Sequence, residues 1–317
     1  MAYADLKIDV VFRKVFGEHP DVLMGLLNDL LDRRGPEAIT AIEYLPPDQA
    51  PMVMGMKLSI LDVRCKDASN TAFVVEMQVL PVTGFLNRVV YNACKAYVGT
   101  LKKGRPYHEL TDVIAVSICD FELWPDAEQR AHGEPLVPMA SRWSMAECTH
   151  GARRAMGQVQ YVYLELPKLG DRAPSTDVER WAVLFRSAPD LTPKSIEGVP
   201  LTAAQRQCLE HAREETMTFQ ERDLIERSRE EVDQVRRIAE SALQQGIEQG
   251  IEQGIERGIE QGRLAEKRAV LVRMLERRGL APTDAHREGI ARCADVATLD
   301  DWIDRAMTAR DASDVLR

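Results

Sequence analysis

Two acidic residues stand in neighbouring apolar segments of the sequence. Asp62 lies in the segment SILDVRCKD, Glu76 lies in FVVEMQ, and the turn-forming residues 67–70 separate them. Residues 57–66 and 71–80 are predicted strands, and together they predict a β-hairpin. A hairpin whose turn is centred on Ser69 places Asp62 directly opposite Glu76, with Cβ atoms about 5 Å apart.

This carboxylate pair is expected to need a compensating group. Two carboxylates at this separation repel each other unless a proton or a cation lies between them. Burial among apolar strand residues adds to the cost. A divalent ion with oxygen ligands, such as Mg²⁺, removes both costs. The alternative is structural, because Arg64 and Lys66 of the same strand could neutralise the acids on a solvent-facing sheet, and spacing alone does not decide between the two interpretations.

Helices and strands are both predicted over roughly the first 170 residues. Apolar residues at helical spacing predict two helices before Pro36 and a third over Phe85–Lys103. Predicted strands cover residues 38–45, 57–66, 71–80, 112–121 and 159–166. Helices on both sides of several strands indicate an α/β core.

The rest of the chain is helix-prone and charged. Thr202 with Gln205, and Thr218 with Glu221, have the spacing of capping boxes. Residues 246–262 repeat the unit Gly-Ile-Glu-Gln with one substitution. This repeat is either a low-complexity linker or a self-associating helix whose Gly/Ile stripe winds around its axis. The predicted divisions are the α/β core, a helical extension, the repeat and a small α-helical domain, at residues 1–172, 173–245, 246–262 and 263–317.

Composition restricts the class of protein. The chain has 317 residues and a formal net charge of −9. No segment approaches the roughly 20 apolar residues of a membrane span, and the first residues do not resemble a signal peptide. None of the six cysteines forms a CxxC pair, which favours neither a disulfide framework nor a structural zinc site. We therefore expect a cytoplasmic protein with no membrane partner.

The charge is unevenly distributed along the chain. Residues 55–110 carry eight basic and four acidic residues, whereas residues 205–262 carry eight basic and fourteen acidic residues. The net positive charge of residues 55–110 is therefore compatible with a polyanionic partner, whereas the net negative charge of residues 205–262 would repel one.

Several motifs, in their order along the chain, are similar to those of one family. They are DVVFRKVFGEHPDVLMGLLNDLL, SILDVRCKD, FVVEMQ, RVVYNACKAY and LKKGRPYHELTDVIAVSICDF. With them, the chain resembles the Rpn family of recombination-promoting nucleases, also described as transposases, in the PD-(D/E)XK nuclease superfamily. The resemblance implies an α/β restriction-endonuclease-like core with a mixed sheet flanked by helices. It also implies an α-helical C-terminal region after that core.

The resemblance also implies roles for individual residues. Asp62 and Glu76 match metal-binding acids, and the main-chain carbonyl of Met77 is a further expected ligand. Gln78 stands where the superfamily has a lysine that orients the attacking water. Glutamine is neutral, so it can hold a ligand but cannot act as a base or a point charge. Asp9 matches a recurrent N-terminal acid and is either a further acidic site residue or a helix cap, of which we favour the cap.

The implied function is a Mg²⁺- or Mn²⁺-dependent DNA endonuclease that hydrolyses phosphodiester bonds in recombination or mobile-element biology. Arg88, Tyr91 and Lys95 of the following helix are candidate contacts to DNA phosphates, although a surface helix explains them equally well. A homo-oligomer, most simply a dimer, is expected because cleavage of both strands gains from two active sites. The alternatives are a catalytically weak or inactive nuclease-fold protein that assembles through its helical C-terminal region, and an RNA nuclease.

Overall fold

The chain divides into two units, Met1–Arg236 and Arg237–Arg317. The structure, a computed structural model, describes residues 3–46, 48–49, 59–60, 62–102, 104–149, 155–280 and 282–316. Three residues of the predicted strand over residues 57–66 lie outside the described residues, namely Lys57, Leu58 and Leu61.

A six-stranded mixed sheet is the centre of the first unit, in the spatial order β1-β4-β5-β6-β8-β7. β5 is parallel to β6 and β6 to β8, whereas the other pairs are antiparallel. Two short strands, β2 and β3, pair separately. The strands are β1 (Ile42–Tyr44), β2 (Asp48–Gln49), β3 (Ser59–Ile60), β4 (Val63–Asp67), β5 (Ala72–Gln78), β6 (Val113–Cys119), β7 (Ala140–Ala146) and β8 (Ala155–Glu165).

Helices precede, separate and follow these strands. The α-helices are α1 (Asp9–Gly17), α2 (Pro20–Leu31), α3 (Phe85–Gly99), α4 (Asp126–His132), α5 (Asp177–Ser187), α6 (Ala203–His211), α7 (Phe219–Arg277), α8 (Asp284–Arg292) and α9 (Val296–Ala306). Single 3-10 turns occur at Gly35–Glu37, Tyr107–Glu109, Leu166–Leu169, Ala188–Asp190 and Glu214–Thr216. The predicted α/β class, with a mixed sheet flanked by helices and a helical C-terminal region, is confirmed.

The sheet is covered on both faces. Apolar residues of α1, α2, α5 and α6 pack on one face, where Phe16 stacks on Phe185 with ring centres 5.5 Å apart. The other face is covered by α3 through Phe85, Val89 and Ala93. Because β5 and β6 are parallel, the chain must cross over between them, and α3 is part of that crossover. This connection places α3 beside the carboxyl end of β5.

Two helices that follow the predicted core of residues 1–172 pack into the main core. Trp181 and Phe185 of α5, and Leu209 of α6, are buried in the main core. The indole Nε1 of Trp181 also donates a hydrogen bond to Oδ2 of Asp29, at 2.8 Å. Helices α5 and α6 therefore belong to the same unit as the sheet, Met1–Arg236.

Two elements between β6 and β8 were not predicted. α4 is a short helix, and β7 is an edge strand with mostly exposed side chains, including Trp143 and Met145. An edge strand of this kind lacks the apolar alternation that identifies strands in a sequence. In contrast, both predicted capping boxes, at Thr202 and Thr218, are confirmed.

The Gly-Ile-Glu-Gln repeat is helical throughout, because residues 246–262 lie within α7. Its isoleucines are between 48% and 59% exposed. The second unit has its own small core, which includes Leu271, Leu275, Ile290 and Leu299. The repeat is therefore helical, and its self-association stays a prediction.

Candidate active site

The predicted hairpin is present with the predicted register. Val63 pairs with Val75 and Arg64 with Val74. Asp62 immediately precedes the first of these pairs and lies outside β4. Its position is fixed through its side chain, because Oδ2 accepts a hydrogen bond from the backbone N–H of Met77 at 2.7 Å.

Asp62 lies among charged groups from α1 and β5. Nη2 of Arg13 is 3.7 Å from Oδ1 of Asp62. The pKa of the Asp62 carboxyl is raised to about 6, chiefly by burial and also by the charges of Asp9 and Glu76, although the Met77 hydrogen bond and Arg13 act in the opposite direction. The described residues therefore do not fully offset the free-energy cost of burying the ionised Asp62 carboxylate.

Glu76 is buried on the α3 face of the sheet, at 8% exposure. Its Oε1 accepts a hydrogen bond from Nδ2 of Asn92 at 3.0 Å. Its Oε2 is buried and has no hydrogen-bond partner among the described residues, and Nη2 of Arg88 lies 3.9 Å away. Burial raises the pKa of this carboxyl, while the Arg88 charge and the Asn92 hydrogen bond lower it.

Gln78 contacts the same helix as Glu76. Its Nε2 donates a hydrogen bond to the carbonyl oxygen of Leu80 at 2.9 Å. Its Oε1 accepts a hydrogen bond from the Arg88 guanidinium. The neutral amide is therefore joined to a cation from α3.

The backbone of Met77 faces the Asp62 side of β5. Its N–H bonds to Asp62, whereas the carbonyl oxygen of the next residue, Gln78, accepts a bond from Asp120 beyond β6 at 3.0 Å. The N–H and C=O groups of one strand residue point to the same edge, and those of the next point to the opposite edge. The Met77 carbonyl is therefore directed to the edge where Asp62 lies.

The two cations next to the acids come from helices, not from β4. The sequence-based alternative paired the acids with Arg64 and Lys66. Arg64 donates a hydrogen bond to the carbonyl of Pro46 at 2.8 Å, and Lys66 forms an ion pair with Glu43 at 3.0 Å. Among the described residues, the polar side chains beside the acids include those of Arg13, Arg88 and Asn92.

Sequence reasoning missed Arg13 and Asn92. A weak signal was available for each, because Arg13 follows Asp9 by four residues and Asn92 follows Arg88 by four residues. Residues four apart share one face of a helix, so each belongs to the same helix face as a residue already considered.

The predicted cap at Asp9 is wrong. Asp9 is the first residue of α1, and the N-cap is Ile8, which makes no side-chain cap hydrogen bond. Oδ1 of Asp9 instead accepts a hydrogen bond from Nε of Arg13 at 2.8 Å. The other interpretation, a further acidic site residue, stays a prediction.

The three candidate phosphate contacts of α3 differ in accessibility. The Arg88 side chain is 47% exposed. Lys95 is buried, at 6% exposure, and its Nζ lies 5.8 Å from the centre of the half-buried Tyr91 ring. Accessibility therefore favours Arg88 over Lys95 and Tyr91 as a phosphate contact.

A cavity of about 440 Å³ lies at the carboxyl ends of β5 and β6. Its lining includes Asp9, Gln78 and Asp120, together with Val232 and Arg236 from the first part of α7. In open α/β sheets, ligands bind beyond the carboxyl ends of parallel strands. The candidate site therefore adjoins the edge of the sheet where this architecture places ligands.

A family model described as PD-(D/E)XK nuclease family transposase matches residues 6–241. The chain belongs to this family. The match includes every residue of the site described above and ends close to the end of the first unit. No curated protein and no solved structure matches the chain significantly. Among the described residues, no helix combines the length and apolar character needed to cross a membrane.

PD-(D/E)XK nucleases generally use divalent metals, and the carboxylates of this family member fit such an ion. Oε2 of Glu76 is buried without a hydrogen bond, and Oδ1 of Asp62 has an ion-pair partner only at 3.7 Å. These oxygens and the Met77 carbonyl are hard ligands of the kind that Mg²⁺ prefers. No group of three His, Cys, Asp or Glu residues suited to a metal occurs in the described part of the chain, so the carbonyl and solvent would have to complete the set.

We expect Asp62→Asn to stabilise the metal-free protein at neutral pH. The pKa of Asp62 is raised from 3.8 to about 6 in the folded chain, so the folded state binds more protons than the unfolded state between these values. Its stability therefore falls as the pH rises through this window. A neutral asparagine can still accept the Met77 N–H and removes this cost, which amounts to about 1–3 kcal/mol.

Urea unfolding of both proteins in EDTA at several pH values measures this effect. The gain should be present above about pH 6 and absent below about pH 4. A gain that does not change with pH would contradict the explanation.

Proposed function

We propose that this protein is a divalent-metal-dependent DNA endonuclease that hydrolyses phosphodiester bonds in recombination or mobile-element biology. The observation that carries the proposal is the buried Oε2 of Glu76, which has no hydrogen-bond partner among the described residues. The N–H of Met77, the residue next to Glu76 in β5, donates a hydrogen bond to Oδ2 of Asp62 at 2.7 Å, which holds Asp62 at the same end of β5. Membership of the PD-(D/E)XK nuclease family supplies the class of reaction.

In this proposal, Asp62, Glu76 and the Met77 carbonyl hold Mg²⁺ or Mn²⁺. When bound, the ion supplies charge stabilisation and water activation for attack on phosphorus. The hydrogen bonds from Met77 to Asp62 and from Asn92 to Glu76 orient the two carboxylates. Arg13 faces Asp62 and Arg88 faces Glu76, so each acid has a neighbouring cation that reduces its repulsion of a phosphate.

Cleavage assays with two nucleic acids test the proposal. Supercoiled plasmid DNA and a structured RNA are incubated separately with the purified protein in Mg²⁺, Mn²⁺ or EDTA. Metal-dependent nicking of the plasmid is the expected result. Cleavage of RNA alone would support the RNA nuclease instead, and no cleavage of either substrate would support the inactive, nuclease-fold alternative.

We also propose that the protein forms a homo-oligomer, most simply a dimer, through the repeat in α7. The isoleucines at positions 247, 251, 255 and 259 are exposed. The repeat glycines have no heavy atom within 4 Å of an added Cβ, apart from neighbours along the helix itself. Small residues four apart allow a second helix to approach closely, and burial of the isoleucines against that helix would contribute the hydrophobic stabilisation.

We expect the double substitution Ile251→Glu and Ile255→Glu to dissociate this assembly. Charged side chains cannot be buried in the helix contact without large cost. Light scattering should show a mass above that of the 35.7 kDa chain for the wild type and a monomer for the variant. Glu252→Gln with Glu256→Gln changes the same helix without adding charge and serves as the control. A wild-type protein that is monomeric at tens of micromolar would disprove the assembly.

A further inference from the structure

Arg88 extends from α3 to two residues of the candidate site. Its guanidinium donates a hydrogen bond to Oε1 of Gln78 and lies 3.9 Å from Oε2 of Glu76. The guanidinium carbon is also 5.4 Å from the centre of the ring of Phe85, which is buried one turn earlier in the same helix. These contacts hold a permanent cation next to the two strand residues.

Gln78 presents one particular atom to this cation. Its Nε2 is committed to the carbonyl oxygen of Leu80, so Oε1 is the atom that faces Arg88. The amide itself carries no charge. Its contribution is to fix the position of the guanidinium.

Phosphodiester hydrolysis develops negative charge on the phosphoryl oxygens, and cations already in place at that position lower the barrier. The Arg88 side chain is 47% exposed, whereas that of Glu76 is 11% exposed. A phosphate from solvent can therefore reach Arg88 while Glu76 remains buried. A guanidinium also matches two phosphate oxygens with two parallel donors.

We propose that Arg88 is a catalytic residue that contacts the scissile phosphate and stabilises the charge of the transition state, and that Gln78 is its positioning residue. This inference rests on the proposed nuclease function. Arg13 is less suited to this role because its Nε is hydrogen-bonded to Asp9, and Lys95 is less suited because it is buried.

The test compares a variant that lacks the positive charge of Arg88 with a variant that restores a positive charge from position 78. Because Oε1 of Gln78 contacts the guanidinium, a lysine at position 78 would bring its ammonium group close to the place that Arg88→Ala vacates. The proteins compared are wild type, Arg88→Ala and the double variant Gln78→Lys/Arg88→Ala. The control is Arg130→Ala, which removes an exposed arginine of α4 that pairs with Asp126.

Plasmid nicking in Mg²⁺ is measured over a range of DNA concentrations. Arg88→Ala should lower kcat by about 10²- to 10³-fold, and the double variant should recover most of this loss. The control should retain the wild-type rate. Arg88→Met, which keeps much of the side-chain volume, replaces the alanine variant if circular dichroism shows that the latter does not fold.

Three results would overturn the assignment of Arg88. The first is a wild-type kcat in Arg88→Ala. The second is a change in Arg88→Ala that affects KM alone, which would indicate that Arg88 binds phosphate equally in the ground state and the transition state. The third is a double variant that is no more active than Arg88→Ala. A wild-type protein that cleaves nothing would instead overturn the proposed nuclease function, and this inference with it.

Calorimetric titration with Mn²⁺ provides a readout that does not depend on cleavage. Removal of a cation close to Glu76 should tighten Mn²⁺ binding several-fold in Arg88→Ala, because the cation repels the metal. The double variant should return toward the wild-type affinity. Equal affinities in the three proteins would contradict the placement of the charge at this site.

Discussion

Asp62→Asn and Glu76→Gln are each expected to abolish metal-dependent cleavage of DNA while leaving the protein folded. Each substitution removes the charge of one of the two carboxylates proposed to hold the ion but keeps the size of the side chain. Because a bound metal contributes several kcal/mol to transition-state stabilisation, we expect a loss of about 10³-fold or more. Plasmid nicking in Mg²⁺ measures it.

Glu43→Gln is the matched control for these variants. Glu43 is an exposed acid of the same sheet, and its ion pair is with Lys66. This variant should cleave at the wild-type rate. Melting temperatures with and without Mg²⁺ complete the comparison, because ion binding should stabilise the wild type and Glu43→Gln more than the two site variants. Undiminished cleavage by Asp62→Asn/Glu76→Gln would exclude these residues as the metal site.

Trp181→Ala is expected to destabilise the first unit by about 3–5 kcal/mol, the usual cost of truncating a buried aromatic side chain to alanine. Trp181 is completely buried, and its substitution also removes the hydrogen bond to Oδ2 of Asp29. Chemical unfolding measured by circular dichroism provides the value. Phe219→Ala removes an aromatic ring that is 86% exposed and should change the stability little.

The same packing determines where the chain can be shortened. A protein ending at residue 172 lacks Trp181, Phe185 and Leu209 of the main core and should not fold. A protein ending at residue 241, where the family match ends, keeps all three and should show a cooperative unfolding transition. A folded protein of residues 1–172 would show that α5 and α6 are dispensable for the core.

The sequence was sufficient to predict most of the helices and strands and the register of the hairpin. Turn residues at 67–70 limit how β4 and β5 can pair, and an error of one residue would move every side chain to the other face of the sheet. The edge strand β7 and the short helix α4 were missed because neither depends on a periodic apolar pattern. The packing of α5 against the sheet has no signal in the sequence, because a capped amphipathic helix has the same pattern whether it extends a core or begins a new domain.

The environment of the acids was only partly predictable. Asp62 and Glu76 were identified from their isolation among apolar strand residues. The residues that orient them, Met77 through its N–H and Asn92 through its amide, contact them across different elements. The spacing of residues within one helix can indicate which of them share a face, but it does not indicate which strand residue that face contacts.

The sequence by itself determined the α/β class, the hairpin and the residue types at the carboxyl end of β5, because local periodicity and turn chemistry act over a few residues. The tertiary structure decided which cations meet the acids. Arg64 and Lys66 are nearer to Asp62 in the chain, but Arg13 and Arg88 reach the two carboxylates. The physical reason is that α1 and α3 pack beside the end of the hairpin. The long arginine side chains of these helices therefore reach carboxylates that are far from them in the sequence.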